Sequence, residues 1–277
     1  MPIITLTTDF GSKDPSVGAV KGAIYSELPK VTLVDITHQI SPFDLYETVY
    51  ILKNAYINFP KGTIHIIGVE SCLTPETKHI AVELNGHYFI CADNGIISLI
   101  ASEIKPEAIY EINLPDIQKI NFPVLDIFVR VACHLARGGI LGIIGTQIPS
   151  YKKLSKTEPI IQQQGKTILG NIIYIDNYGN AITNITKELF TSVQKGRNFT
   201  IKAKRITFNN VVNHYSDAIN FTVERNKREE DGKKIALFNS SGYLELAIYK
   251  SNPKTVGAAS TLFGLKYMDT ISVTFED

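Results

Sequence analysis

Cysteine is scarce in this 277-residue chain: Cys72, Cys91 and Cys133 are too few and too scattered to build a disulfide framework. No CxxC pair is present, so the usual spacing of a structural zinc site is missing as well. The expectation is of reduced, buried thiols in a cytoplasmic protein. An excess of either charge is also lacking. Lys and Arg number 28 against 27 Asp and Glu, and a formal net charge of +1 gives no long-range field for nucleic acid or anionic lipid. No uncharged apolar run approaches bilayer length. The opening MPIITLTTDF has no basic region followed by a long apolar core, so it does not read as a signal peptide. These absences predict a soluble protein with neither nucleic acid nor membrane as partner.

What is present is the material of a globular core, 44% hydrophobic against 20% charged residues. The first half alternates two periodicities. IITLTTDF, VTLVDIT, TIHIIGV and AIYEI read as strands, and IAVEL and HYFIC flank Asn85-Gly86, a strong two-residue hairpin signal. Between them, Val20, Ile24 and Leu28 form one helical stripe, with Asp14-Pro15 as its expected start. Leu45, Val49 and Leu52 form another after Ser41-Pro42, and Pro123 to Arg137 reads as a third helix, stopped by Gly138-Gly139. Strands spaced by helices predict an α/β domain over residues 1–150, a mostly parallel sheet sandwiched by helices. Residues 151–164 are polar and aperiodic, a linker. Residues 165–277 are mostly strand-like, including KTILGNIIYID, NFTIKA, KKIALFN, YLELAIY and TISVTF, and predict a smaller β-barrel-like domain.

In parallel α/β sheets, ligands sit beyond the carboxyl ends of the strands. Asp9 ends the first strand and stands there; its carboxylate can accept both hydroxyls of a ribose diol, or tie down the loop. Asp14 and Ser16 follow, and Asp14 can equally cap its helix. In YIDNYGNAITNI, Asp176, Tyr178 and Asn180 share a Gly-containing turn, where a ring can stack on a base and a carboxylate can hold an ammonium. NSSGYLELA offers a second polar turn, with Asn239, Ser240 and Ser241.

TTDFGSKDPSVGAVKG, VDITHQISPFD, FPKGTIH, ADNGIIS, HLARGG, YIDNYGNAITNI and NSSGYLELA, in that order, resemble the S-adenosylmethionine (SAM) hydroxide adenosyltransferases. The fluorinase and chlorinase belong to the same superfamily, and the resemblance runs from Thr5 to about Ala247. It implies an N-terminal α/β domain, a C-terminal β-barrel, and a homotrimer whose sites lie between subunits. It also implies that SAM or adenosine is the small-molecule ligand, with no further cofactor and no metal. By position, Asp9 resembles the ribose-diol ligand, Asp14 and Ser16 residues around the methionine and adenosyl groups, and Phe43 a residue lining the sugar. Asp176 resembles the partner of the methionine ammonium. Tyr178, Asn180, Asn239, Ser240 and Ser241 resemble adenine contacts.

The family's reaction displaces methionine from the 5′ carbon of SAM. Its hydrolytic branch uses an aspartate and an arginine in DPGVG-x-x-R and a histidine in a TFHGRD-like segment. Here the first stretch reads ESCLTPET, which puts Glu70 at the aspartate position and Thr77 at the arginine position, beside Lys78 and His79. Pro123 takes the histidine position. The resemblance therefore implies an altered means of readying the nucleophile, with Glu70 as base and Lys78 as replacement cation the candidates for catalysis. His79 reads as a surface residue, and His38 and His134 as packing residues. Three functions follow: SAM hydrolysis to adenosine and methionine, SAM or adenosine binding without turnover, or adenosyl transfer to a different nucleophile.

Overall fold

The computed structural model describes residues 1–101, 104–114 and 121–276. The chain forms two compact units, Met1–Lys156 and Thr157–Asp277.

The first unit holds strands β1 Ile3–Thr8, β2 Thr32–Thr37, β3 Ile64–Gly68, β4 His79–Leu84, β5 His87–Ala92, β6 Ala108–Ile112 and β7 Gly145–Gln147. They lie in the order β2-β1-β3-β5-β4-β6-β7. β2, β1, β3 and β5 run parallel, while β4, β6 and β7 pair antiparallel. Asn85 and Gly86 both take positive φ, 54° and 72°, the backbone of the type I′ hairpin their side chains favour.

Helices α1 Ser16–Glu27 and α4 Val129–Ala136 bury one sheet face, joining Val20, Ile24, Val131 and Ala132 to Ile4, Leu6, Ile64 and Ile66. Helices α2 Leu45–Tyr56 and α3 Ile96–Ile100 bury the other, joining Leu45, Leu52, Ile96 and Ile97 to Ile67, Val82 and Phe89. A short α5, Leu141–Ile144, precedes β7. Both faces being covered explains why the strands read as continuous apolar runs.

Two expected helix starts move. α1 begins at Ser16 with Pro15 in the cap position and no side-chain cap, so Asp14 does not cap it. α2 begins at Leu45, and its cap is Asp44, whose carboxylate accepts the Glu47 N–H at 2.9 Å. The Glu47 side chain accepts in return from the Ser41 N–H at 2.8 Å, so the Ser41-Pro42 signal marks the approach to the helix rather than its first turn. Cys91 and Cys133 are buried free thiols as expected, but Cys72 is exposed on the loop between β3 and β4.

Thr5, His65 and His87 form a buried polar chain across β1, β3 and β5. Thr5 Oγ1 lies 2.7 Å from His65 Nδ1, and His65 Nε2 lies 3.1 Å from His87 Nδ1. Burial, reinforced by the neighbouring His87, pushes His65 down to about 3 from 6.5. Between those values the unfolded chain binds a proton that the folded one refuses. The stability contribution is complete above pH 6.5 and lost as pH falls toward 3, by at most about 1.4 kcal/mol per pH unit from this group. Denaturant unfolding from pH 7 to pH 4 is expected to show that loss; a level profile would contradict it.

The second unit comprises β8 Ile160–Gln162, β9 Thr167–Ile175, β10 Ala181–Thr186, β11 Phe199–Ala203, β12 Ile206–Phe208, β13 Lys234–Phe238, β14 Tyr243–Ile248 and β15 Thr270–Phe275, with helices α6 Lys187–Gln194 and α7 Ala259–Leu262. The order is β12-β11-β15-β9-β10-β14-β13, antiparallel and nearly closed into a barrel. β8, within the polar stretch read as a linker, pairs with β9. Ile168, Ile172, Ile201, Leu244, Leu246 and Val273 fill the interior, with Phe190 of α6 edge-on to Phe199, Phe238 and Phe275.

Candidate functional site

Two groups of polar residues stand out, one in each unit. In the first unit the strand register aligns one edge: Thr7 pairs with Thr37, Thr8 with Gly68, and His79 with Ala92. Residues 9–14, 38–44, 69–78 and 93–95 all leave the sheet there, beyond the carboxyl ends of the parallel strands. Asp9 is half-buried on that edge, and its Oδ2 accepts the Phe43 N–H at 3.0 Å. Asp9 and Phe43 therefore come together. Phe43 has φ of 65° and is 69% exposed. A bulky residue in the left-handed region costs about 1–3 kcal/mol, a strain that functional loops often carry.

Below Asp9, a relay fixes the loop. Thr8 Oγ1 lies 2.8 Å from His38 Nδ1, His38 Nε2 lies 3.1 Å from Asp35, and Asp35 meets Lys21 Nζ at 2.5 Å. Burial pushes Asp35 up, but the bonds and charges of Lys21 and His38 outweigh it and hold the carboxyl below its usual range. His38 is thus a polar anchor rather than a packing residue; its carbonyl also accepts the Gly11 N–H at 2.7 Å. His134 packs over Gly139, where a methyl group would come within 2.2 Å of the ring. Asp14 is exposed in the turn before α1, and Ser16 is half-buried at its first position.

Glu70 begins the loop between β3 and β4, exposed and with φ of 46°. The Asn94 side-chain amide lies 3.2 and 3.3 Å from the Val69 and Glu70 carbonyls and sets that bend. The loop folds back on itself, since Thr74 and Thr77 exchange N–H···O bonds of 3.0 and 3.3 Å. Lys78 is exposed, with its carbonyl held by the Asp93 N–H at 2.7 Å.

His79 overturns the expectation of a surface residue: it is 1% exposed. Its Nε2 lies 2.9 Å from the Ser71 carbonyl, so Nε2 carries the proton, and the ring stands edge-on to Phe128 with centroids 4.9 Å apart. Burial pushes its pKa down more than the Ser71 bond raises it. A neutral imidazole with its N–H committed cannot supply a missing positive charge. Its Nδ1 is buried without a hydrogen-bond partner among the described residues.

Pro123 precedes a π-helical turn, Val124–Phe128, that leads into α4. A methyl group at Gly68 would come within 3.1 Å of both Phe10 and Val124. Phe10 stands edge-on to Phe122 at 5.4 Å. With Phe128 against His79, the segment from Phe122 to Phe128 and the loop between β3 and β4 meet near the end of β3.

In the second unit, Asp176 organises its turn. Oδ1 accepts the N–H groups of Tyr178 at 2.9 Å and Asn180 at 2.8 Å, and Oδ2 accepts the Asn180 amide at 3.0 Å. Gly179, with φ of 75°, closes the turn, and a methyl there would come within 2.5 Å of Ala258. The Tyr178 backbone is pinned by Asp176 and by Ser251 Oγ, which donates to the Tyr178 carbonyl at 3.0 Å, yet the residue is 62% exposed. A rigidly mounted, open aromatic face suits stacking.

The structure joins this turn to the Asn239 turn through two residues that sequence reasoning missed, Tyr215 and Glu245. The Asn180 amide lies 3.4 Å from Tyr215 Oη, and the Tyr215 hydroxyl donates to Glu245. Asn239 Oδ1 accepts the Ser241 and Tyr243 N–H groups at 3.0 and 3.2 Å, while its amide reaches Glu245. Asn180 Oδ1 lies 3.3 Å from Ser251 Oγ and shares its one hydrogen with the Tyr178 carbonyl. Both asparagines are therefore occupied within the protein and serve as braces. Ser240 is exposed and Ser241 half-buried on the rim of the turn. Desolvation raises the Asp176 carboxyl against the turn's own hydrogen bonds, and raises Glu245 likewise. A glutamate alone in the apolar run YLELAIY is the sequence signal for Glu245; Tyr215 sits in an aperiodic segment and gives none.

Among the described residues, no group of three or more His, Cys, Asp or Glu side chains is arranged to hold a metal ion. Nor is any helix among them long and apolar enough to cross a membrane.

Comparison with known proteins adds the following. The family model for the SAM hydroxide adenosyltransferase N-terminal domain matches residues 4–145, and that for the C-terminal domain residues 170–272. The chain is 28% identical to the (R)-S-adenosyl-L-methionine hydrolase of Methanocaldococcus jannaschii, covering 99% of this chain and 97% of that one. It is 25% identical to a fluorinase of Nocardia brasiliensis, over 89% of this chain and 90% of the other. The crystal structure of a conserved protein from Thermotoga maritima superposes with a TM-score of 0.82 at 26% identity, covering 99% and 100% of the two chains.

Proposed function

The chain belongs to the SAM hydroxide adenosyltransferase family, and from that premise we propose that it is a hydrolase converting SAM and water to adenosine and methionine. The observation that carries this reading is the end-to-end match, over both domain models, to a relative named for that hydrolysis.

The chemistry asks little of an acid. Water oxygen forms a bond to the 5′ carbon, and the carbon–sulfur bond breaks with its electron pair passing to sulfur, so methionine leaves neutral at that atom. What the protein supplies is a desolvated, aligned water whose proton has somewhere to go. In this reading Glu70 takes that proton and Lys78 supplies the positive charge beside it. Asp9 accepts from the ribose diol, Phe43 lines the sugar, and Asp14 and Ser16 flank the methionine and adenosyl groups. Asp176 holds the methionine ammonium with the lone pairs its own turn leaves over. Tyr178 stacks on adenine, Ser240 and Ser241 offer hydroxyls to it, and Asn180 and Asn239 hold those groups in place. A cytoplasmic homotrimer with ligand bound between subunits goes with this reading through the family resemblance. It needs no cofactor beyond the SAM it consumes.

The test is to incubate the purified protein with each sulfonium epimer of SAM and follow adenosine and methionine by chromatography. Equimolar appearance of both is expected. Calorimetric binding of SAM without product would support instead a protein that binds without turnover, the alternative that Thr77 and Pro123 favour. Asp9→Ala is expected to weaken adenosine binding by about 1–3 kcal/mol, through a lost charge-assisted contact and a freed Phe43 backbone. An unchanged dissociation constant removes Asp9 from the site.

A further inference from the structure

Glu245 is only 4% exposed, in the interior of β14, where Leu244 to Ile248 are all buried. A carboxylate taken out of water costs several kcal/mol unless paired or well bonded. No Lys, Arg or His among the described residues forms an ion pair with it, nor with Asp176. What reaches Glu245 instead is the Tyr215 hydroxyl and the amide of Asn239, with the Asn180 amide behind Tyr215, 3.4 Å from its Oη. Asn239 Oδ1 is already used by two backbone N–H groups, so its amide nitrogen is the atom left to face the carboxylate. The Tyr215 hydroxyl and the Asn239 amide can donate to it together, the set an ionised carboxylate takes, and they oppose the desolvation that raises its pKa. Asn180 gives its other amide hydrogen to Asp176 Oδ2, 3.0 Å away. One continuous frame thus runs Asp176–Asn180–Tyr215–Glu245–Asn239, with two carboxylates, the exposed Tyr178 at its rim, and no ion-pairing cation among the described residues.

We propose that Glu245 is a positioning residue for charge selection: through Tyr215 and the two asparagines it fixes the Asp176 turn, and its own charge makes the site favour a cationic adenosyl ligand over the neutral nucleoside. The inference rests on the reading that this turn binds SAM. The ligand completes what the frame lacks. SAM carries an ammonium and a sulfonium against one carboxylate, whereas adenosine carries no charge. The second carboxylate lies too deep to touch the ligand, and acts by field and by the geometry it imposes. Because low-dielectric surroundings strengthen such a field, one buried charge can favour the charged ligand without any contact. In a hydrolase this has a use: substrate is held by a term that product no longer feels once the sulfonium is gone.

The experiment compares Glu245→Gln and Tyr215→Phe with wild type in the full chain, titrating SAM and adenosine separately by calorimetry and measuring kcat and KM for SAM. Glu245→Gln keeps the size and an acceptor oxygen but removes the charge. It is expected to weaken SAM binding about tenfold while adenosine moves less than about twofold, with the change in KM and not in kcat. Tyr215→Phe, which keeps the charge and breaks the link to Asn180, is expected to show the same preference at about threefold. It also carries the test if the glutamine variant does not fold. Equal losses for SAM and adenosine would reduce Glu245 to a structural brace and overturn the inference, as would no loss for either. Wild-type protein that binds neither ligand would sink the reading of the site itself and the inference with it.

Discussion

Glu70→Gln is expected to slow the hydrolysis of SAM by about 10²–10⁴-fold while leaving the dissociation constants of SAM and adenosine within about threefold of wild type. The size of the effect follows from the task. Methionine leaves without protonation, so the proton lost by water is the one proton transfer the site must manage. Glu70, the proposed base, lies at the edge beyond β3, on a left-handed backbone with φ of 46° and with its carbonyl braced by Asn94. Glutamine preserves the shape and removes the base. The other ionisable groups nearby are poor substitutes. His79 has its N–H on the Ser71 carbonyl and its other nitrogen buried, and Cys72, though exposed, has no hydrogen-bond or ionic partner among the described residues. Single-turnover measurement of adenosine formation separates the chemical step from binding. Unchanged turnover would mean that water is readied by another group, or that the site positions it without a base.

Asp176→Ala is expected to weaken SAM binding by about 100-fold or more. Here two losses coincide. The carboxylate is the proposed partner of the methionine ammonium, and it also accepts two backbone N–H groups and one side-chain amide within its own turn. Alanine leaves those donors unsatisfied and frees Tyr178, so adenosine binding falls as well. Asp176→Asn separates the two effects. It retains one oxygen for the turn and removes the charge, so SAM should suffer more than adenosine. Calorimetry on both ligands, with thermal unfolding as control, checks this. An asparagine variant that binds SAM as wild type does would place the ammonium elsewhere.

Much of this architecture could be read from residues alone, where a local rule and the tertiary demand agree. Asn85-Gly86 specified a hairpin because few other pairs accept two positive φ values in succession. The parallel strands announced themselves through apolar runs that only two covered faces permit, and the turns at Asp176 and Asn239 through side chains that bond their own backbone. Expectation and structure part where specific side-chain partners decide. The start of α2 is fixed by Asp44 and Glu47 acting on each other and on Ser41, and not by the nearer Ser-Pro pair. The short strands β7, β8 and β12 have three residues each, too few for a period to register.

Within the site the division is the same. Asp9 and Phe43 meet through a bond spanning 34 positions, which only the family resemblance had suggested. His79 follows a run of threonines and charge, and looked like part of a solvated loop, but it is the first residue of β4 and faces Phe128. Tyr215 is invisible locally because its role is defined by Asn180 and Glu245, 35 and 30 residues away.

The most direct test of the central claim is to run the reaction in H₂¹⁸O and weigh the products. If the protein displaces methionine from the 5′ carbon with water, the adenosine formed carries one ¹⁸O in its 5′ hydroxyl and the methionine carries none from the reaction. Label found in another product, or SAM recovered intact beside folded protein at high concentration, would contradict the account.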